Sequence, residues 1–432
     1  SLRKNFSQGV RKMKIAVMGY GTIGSGVVDV LRINKDKIAQ RAGEPVEVKY
    51  ILDLRDFPGD PMEELIVHDY KTIANDPEIG IVVETMGGVE PAYTFVKEML
   101  EAGKQVATSN KNLVAAKGAE LIKIARDHNV NFQFEASVGG GIPIIRPLNK
   151  CLTADEIEEI TGILNGTTNY MLTKMEKEGA DFDTVLKDAQ DKGYAEKDPT
   201  ADIEGHDPCR KIAILTSLVC GQQIDFEDIH CEGITKISAI DFKYAEVMGR
   251  SIKLLASSRK VGGSYSCMVA PFMLSKDHPL CGVNGVFNGI FVHGNVLGDA
   301  MFYGRGAGEF PTASAVMGDI IDVARNIQFY CTGRIHCTCY KDLPIKKITE
   351  IESKYFMRLL VDDKPGVLAR IADTLGKNQV SIAQVIQKNK VNDMAELVVI
   401  TDLVLEQNFA DALVEIKGME HTREISTVIR VY

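Results

Sequence analysis

Lys14–Met18 (KIAVM) is a short apolar run of strand type, and Gly19-Tyr20-Gly21-Thr22-Ile23-Gly24 follows it without a gap. The helix-competent stretch 26–33 comes next, so the order is strand, glycine-rich turn, helix. That order restricts the chain to few folds. The first glycine permits a tight turn and the second lets the backbone approach a pyrophosphate. The third lets the helix pack close on its strand, with the helix N-terminus facing the anion. A turn that needs three glycines only for packing would leave the same trace. Gly19, Tyr20, Gly21, Thr22, Ile23 and Gly24 are therefore candidate dinucleotide-binding residues.

A second strand, Val46–Leu52, should end near the adenosine ribose of such a ligand. Asp53 there could accept from a ribose 2′-hydroxyl, whereas Arg55 could hold a 2′-phosphate, and both readings stay open. The strand-like run Ile79–Glu84 ends in Thr85, and Gly103–Thr108 ends in Ser109-Asn110-Lys111. Ligands collect at the carboxyl ends of strands in an open parallel sheet, which makes Thr85 and Lys111 candidates. Lys111 could equally be a surface charge that opens the next helix.

Composition bounds the rest. The 432 residues call for two or three domains, and 45% hydrophobic with 25% charged residues is an ordinary globular balance. A net charge of −9 argues against nucleic acid as a partner. No apolar run reaches the roughly 18–20 residues of a membrane span, and the polar first dozen residues lack a secretory apolar region. Nine cysteines without framework spacing suit a reducing cytosol, so the expected location is cytoplasmic. Cys331, His336, Cys337 and Cys339 lie close in sequence, but no second cysteine pair stands at zinc-site spacing.

The middle of the chain holds four further stretches. Glu135-Ala-Ser-Val-Gly-Gly-Gly-Ile-Pro puts a carboxylate beside turned carbonyls, hard-oxygen ligation for a cation, or is a glycine-rich linker before a helix. Asn165-Gly166-Thr167-Thr168-Asn169-Tyr170 is a polar turn that could read a small polar substrate or simply cap a helix. In Gly193–Lys211 (GYAEKDPTADIEGHDPCRK) a helix starting near His206 sets Asp207 and Lys211 one turn apart. A carboxylate beside an ammonium holds the lysine and sets its proton affinity, as acid–base work requires, though surface pairs at this spacing are common. Gly304–Thr312 is a second glycine-rich turn opening a helix that could return to cover the first domain.

The last eighty residues read strand, helix, strand, strand, helix, strand: 355–361, 367–378, 380–387, 396–401, 408–417 and 425–431. That βαββαβ order makes a ferredoxin-like domain. Its first turn, DDKPGVLARIA, resembles an ACT domain, a regulatory unit that pairs side by side and binds amino acids.

Taken together, GYGTIGSGV, TSNKNLVA, FEASVGGGIPII, GILNGTTNYML, the 193–211 stretch and YGRGAGEFPTASAVMGDI resemble the homoserine dehydrogenases, in family order from residue 13 to about 330. The resemblance implies reversible reduction of L-aspartate 4-semialdehyde to L-homoserine with NADP or NAD. By it, Lys211 is the acid–base lysine and Lys111 a second active-site lysine. Glu196 and Asp207 hold the substrate's amino end, with Tyr194, Asn165 and Thr167 beside them. Gly193 and Gly308 fall at cofactor contacts, and Glu135 with the carbonyls of Val138, Gly140 and Ile142 falls at a sodium site. Leu54-Arg55-Asp56-Phe57 only partly fits the family's arginine-containing turn.

The expected fold class is α/β. A Rossmann-type domain spans 13–135, with 310–340 returning to it. A central α+β substrate and dimerisation domain with a mixed sheet spans 136–309, a linker 341–351, and the ACT domain 352–432. L-threonine is the expected allosteric ligand, with Gly366 and Asn378 as contacts, and the chain should form a homodimer or homotetramer. Two other readings lack their residues, and a third leaves residues without a use. A 2-hydroxy-acid dehydrogenase wants a His–carboxylate pair in motif context, an acyl-phosphate-type semialdehyde dehydrogenase wants an activated cysteine, and a nucleotide-sensing regulator has no need of both lysines.

Overall fold

The computed structural model describes residues 13–331, 345–391 and 394–432. The chain opens with β1 (Met13–Met18), α1 (Thr22–Ile33), α2 (Lys35–Ala42), β2 (Val46–Leu52), β3 (Ile66–Val67), α3 (Tyr70–Ala74) and β4 (Ile79–Glu84). Then come α4 (Ala92–Glu101), β5 (Gln105–Thr108), α5 (Lys111–Asp127) and β6 (Phe132–Gln133). The middle holds β7 (Ile157–Ile163), α6 (Gly166–Glu178), α7 (Phe182–Asp191), α8 (Thr200–Ile203), α9 (His206–Cys220), β8 (His230–Cys231) and α10 (Ala239–Val247). After these run β9 (Arg250–Val261), β10 (Ser264–Ser275), β11 (Phe287–Gly294), β12 (Gly298–Arg305) and α11 (Glu309–Gln328). The C-terminal elements are β13 (Glu352–Asp362), α12 (Val367–Lys377), β14 (Ile382–Val391), β15 (Met394–Thr401), β16 (Val404–Leu405), α13 (Glu406–Lys417) and β17 (Thr422–Val431). No helix among the described residues is long and apolar enough to cross a membrane.

These elements fall into two compact units. The first comprises described residues 13–156, 213–226 and 304–331. Its six strands run in parallel in the order β3-β2-β1-β4-β5-β6, so the direction of winding reverses between β1 and β4. β1 and β4 are nearly continuous apolar runs with five of six residues buried in each, as strands covered on both faces require. α11 packs on α1: a Cβ built on Gly26 would lie 2.7 Å from Glu309 Cγ and 3.4 Å from Ala313 Cβ, so any larger residue there would have to displace the Glu309 side chain. Ile15, Val17, Val27, Val83, Val316 and Ile320 form the core between them.

The second unit comprises described residues 157–212, 227–303 and 345–432. It is built on one large mixed sheet ordered β12-β11-β7-β9-β10-β17-β13-β15-β14, which β8 joins at β10 and β16 at β13. The C-terminal elements follow the βαββαβ order, with α12 and α13 packed over β13, β14, β15 and β17 through Tyr355, Ile371, Leu375, Phe409 and Ile416. The sequence drew a linker at 341–351, of which 341–344 lie outside the described residues. In the structure the elements on either side of it share one sheet, because β17 pairs in parallel with β10 through Phe272↔Arg430 and Met273↔Val431.

Two buried ion networks reinforce that continuity. Arg358 on β13 donates to Asp241 Oδ1 at 2.8 Å, to Glu396 Oε2 at 3.3 Å and to Thr427 Oγ1 at 3.0 Å, tying α10 to the C-terminal strands. Arg430 on β17 forks onto both oxygens of Glu406 at 2.8 Å and reaches Glu232 Oε2 at 2.8 Å. Each arginine is less than a tenth exposed. Removing either arginine would leave its buried carboxylates without a cation, at a cost of about 3–5 kcal/mol.

Candidate functional site

The glycine turn follows β1 as its spacing requires. Gly19 has φ +96°, a conformation that side-chain-bearing residues avoid. A Cβ on Gly24 would lie 1.9 Å from Gly19 O, so the helix start and the turn touch backbone to backbone. A Cβ on Gly21 would meet nothing within 4 Å. Gly21 caps α1 without a side-chain hydrogen bond, so the first N–H groups of the helix face open space where a pyrophosphate would fit. The residues present therefore suit a dinucleotide. Thr22 and Ile23 occupy the first turn of α1. Thr85, just past β4, donates from Oγ1 to Gly19 O at 2.9 Å and locks the turn from the far side.

Asp53 and Arg55 form one assembly. Asp53 Oδ1 accepts from Arg55 N and Arg55 Nε, each at 3.0 Å. Asp53 Oδ2 accepts from Tyr20 N at 2.9 Å and from an Arg55 terminal nitrogen at 3.0 Å. A carboxylate offers about four lone-pair sites, and these four bonds fill them. Hydrogen bonding from the Arg55 guanidinium holds the Asp53 carboxyl well below the usual range. Arg55 also donates to Tyr20 O at 3.2 Å and lies over the Phe57 ring, with its side chain mostly exposed.

In the 135–142 loop the Glu135 side chain is turned away from the role its sequence suggests. Its oxygens accept from the backbone N–H groups of Ile144 at 2.7 Å, Ile145 at 3.0 Å and Arg146 at 2.6 Å, and from Arg146 Nε at 3.0 Å. The carboxylate is thus occupied by N–H donors. The carbonyls of Val138, Gly140 and Ile142 accept no backbone hydrogen bond from the described residues. Gly140 (φ +54°) is pressed against the second glycine turn, its would-be Cβ 2.5 Å from Gly306 O. Behind the loop, Asp319 on α11 accepts from Glu135 N at 2.9 Å and stands 3.6 Å from Arg146 Nε. Gly308 caps α11 with φ +120°.

In the second unit, α9 begins at His206, so Asp207 and Lys211 do face each other one turn apart. The pair is buried: Asp207 is 4% and Lys211 8% exposed. Lys211 Nζ donates to Asp207 Oδ2 and to Leu164 O, each at 2.7 Å. Asn165 Nδ2 donates to Asp207 Oδ2 at 2.9 Å and to Asp202 Oδ1 at 2.7 Å, while its Oδ1 caps α6 by accepting from Thr168 N. Asp202, on α8, therefore belongs to this cluster. Only the fold, which brings the polar turn at 165 beside the acidic stretch, could have found it. Thr167 Oγ1 donates to Tyr194 O at 2.6 Å, and Tyr194 is half exposed with its ring edge-on to Tyr170. Gly193 (φ +72°) makes the turn before it. Glu196 is exposed; Gln190 Nε2 donates to its main-chain oxygen.

Other expected residues are dispersed. Lys111, half-buried, opens α5 in the first unit, whereas Lys211 belongs to the second. Gly366 (φ +86°) caps the start of α12 and Asn378 its end, so eleven helical residues, about 16 Å, separate them within one chain. Of the cysteine cluster, Cys331 is half-buried with Sγ 3.5 Å from Asn326 Oδ1, while His336, Cys337 and Cys339 lie outside the described residues. Among the described residues no group of three or more His, Cys, Asp or Glu is placed to hold a metal ion.

Comparison with known proteins bears on the same residues. The family model described as "Homoserine dehydrogenase" matches residues 143–321, and "Homoserine dehydrogenase, NAD binding domain" matches residues 19–135. Homoserine dehydrogenase of Synechocystis is 41% identical, covering 97% of this chain and 99% of its own, and that of Bacillus subtilis is 35% identical, covering 98% and 99%. The crystal structure of a homoserine dehydrogenase from Thiobacillus denitrificans superimposes with a TM-score of 0.92 at 36% identity, covering 98% of this chain and 99% of that one. A hyperthermophilic archaeal homoserine dehydrogenase solved in complex with NADPH has a TM-score of 0.62 at 29% identity, covering 72% of this chain and 97% of its own.

Proposed function

The chain belongs to the homoserine dehydrogenases, NAD(P)-binding oxidoreductases, and we propose that it interconverts L-aspartate 4-semialdehyde and L-homoserine with NADP(H), using Lys211 as the acid–base group. The observation that carries this reading is the buried Lys211–Asp207–Asn165 cluster. When bound, the nicotinamide supplies the hydride for the aldehyde carbon. Charge then gathers on the aldehyde oxygen, and an ammonium held in place by Asp207 and Leu164 O can neutralise and protonate it. Asp207, with Glu196, takes the substrate's ammonium end, and Tyr194, Asn165 and Thr167 shape the polar rim. Lys111 provides the second cation.

NADP(H) is favoured over NAD(H) because the Asp53 carboxylate has no lone pair left for a ribose hydroxyl. Its four bonds instead present Arg55 as a fixed donor for a 2′-phosphate. The carbonyls of Val138, Gly140 and Ile142, which accept no backbone hydrogen bond from the described residues, would hold a sodium ion. Glu135 opens the same loop, with its carboxylate occupied by N–H donors.

The C-terminal βαββαβ elements act as an ACT module that binds L-threonine at Gly366 of one chain and Asn378 of another, since one chain holds the two at opposite ends of α12. The assembly is a homodimer or homotetramer, and a reducing cytoplasm is its setting.

The test is homoserine-dependent NADP reduction by the wild type and Lys211→Met. The variant should keep its circular dichroism and lose about 10²–10⁴-fold in kcat. A folded variant with unchanged kcat would overturn the role of Lys211. Titration of the full chain with millimolar L-threonine tests the module: no heat and no change in rate would remove threonine from the reading.

A further inference from the structure

Glu84, the last residue of β4, is fully buried, with no exposed surface. Its neighbour across the parallel ladder is Thr108, the last residue of β5. Glu84 Oε2 accepts from Thr108 Oγ1 at 2.5 Å, and Oε1 accepts from Met86 N at 2.8 Å and Asn110 Nδ2 at 3.3 Å. Thr108 Oγ1 in turn accepts from Asn110 N at 2.9 Å, which closes a ring through three side chains. Asn110 does more: its Nδ2 donates to Gly88 O at 2.6 Å, and its Oδ1 accepts from Leu113 N and caps α5. A single buried carboxylate thus fixes the turn 85–88 after β4 and the turn 109–111 after β5. Lys111 is the first residue of the helix so capped, and Thr85 carries the bond to the glycine turn.

Burying a carboxyl group in this position is costly, and desolvation pushes its pKa up against the pull of these donors. An apolar side chain of the same size would fill the space without that cost. What it would not supply is a common acceptor for two loops at the ligand-facing end of the sheet. The anion also lies at the N-terminus of α5, where the helix dipole offsets part of the cost.

We infer that Glu84 is a positioning residue for the dehydrogenase reaction, holding Asn110 and through it the backbone that presents Lys111. This rests on the reading of Lys111 as an active-site lysine. Glu84→Gln preserves volume and the acceptor for Met86 N and Asn110, but turns an N–H₂ toward the Thr108 hydroxyl. The experiment measures kcat, KM for homoserine and thermal midpoint for Glu84→Gln, Lys111→Met and the double variant, all in the full chain. Expected are a melting transition close to wild type, a kcat about 10–100-fold lower for Glu84→Gln, and a double variant no slower than Lys111→Met alone. A purely structural role would lower the melting midpoint and leave the kcat of the folded fraction intact, which would overturn the inference. So would multiplicative losses in the double variant. If Lys111→Met itself left kcat unchanged, the role of Lys111 would fall instead, and with it the route by which Glu84 acts.

Discussion

Asp319 offers the most quantitative test of the structure. It is fully buried on α11, accepts from Glu135 N, and has its other oxygen, Oδ1, without a hydrogen-bond partner among the described residues, 3.6 Å from Arg146 Nε. Burial pushes its carboxyl from 3.8 up to about 7, with Arg146 opposing and Glu135 assisting. The folded protein therefore binds a proton more tightly than the unfolded chain between those values. The stability this contributes is complete below about pH 4, is lost as pH rises toward 7, and stays lost above it. At ~1.4 kcal/mol for each pH unit in the window, falling off near the folded-state pKa, wild type should lose about 2 kcal/mol between pH 5 and pH 7 from this one group. Asp319→Asn keeps an acceptor for Glu135 N and removes the titration. Urea midpoints at half-unit steps from pH 5 to pH 8 should show the variant gaining on wild type by about that amount across the window. Parallel curves for the two proteins would refute the buried, proton-binding Asp319.

Four other substitutions follow from the first unit. Arg55→Ala and Asp53→Ala should each raise KM for NADP about tenfold and leave KM for NAD within about twofold, because the first removes the guanidinium and the second the carboxylate that fixes it. A loss confined to NAD in Asp53→Ala would show that the carboxylate contacts ribose after all. Gly24→Ala, whose methyl would overlap Gly19 O at 1.9 Å, should cost about 1–3 kcal/mol and weaken cofactor binding in a fluorescence titration. Gly140→Ala meets Gly306 O at 2.5 Å in a positive-φ conformation, so any dependence of rate on sodium should weaken with it; an unchanged response to sodium would separate the loop from the cation.

Local chemistry made much of this legible. The strand, the three glycines and the helix follow one another within β1 and α1, and Asp207 and Lys211 are one turn apart on any helix that contains both. The C-terminal order of strands and helices was visible in the alternation of apolar residues. What stayed hidden depends on distant pairing. Asp202 counts only because Asn165 reaches it. Glu84 reads as the polar end of an apolar strand until Thr108 and Asn110 are brought beside it. The Glu135 carboxylate looked like a cation ligand in sequence, and only the backbone turn at 144–146 shows it filled with N–H donors. Nor does any pattern in β10 or β17 announce that they pair, since two residues of ladder suffice.

That last pairing bears on how the protein is made. β10 has β9 along the whole of one side and β8 at Met268 and Val269 on the other, but the end of that second side, at Phe272 and Met273, waits for β17, encoded about 150 residues later. During synthesis that end of β10 carries an open, apolar edge while all of β11 through β16 emerges. An edge left open so long is a template for the wrong partner. Contacts this far apart in sequence also close slowly. The sheet of the second unit should therefore depend on chaperones during translation more than that of the first, whose β1, β2 and β4 lie within its first 72 described residues.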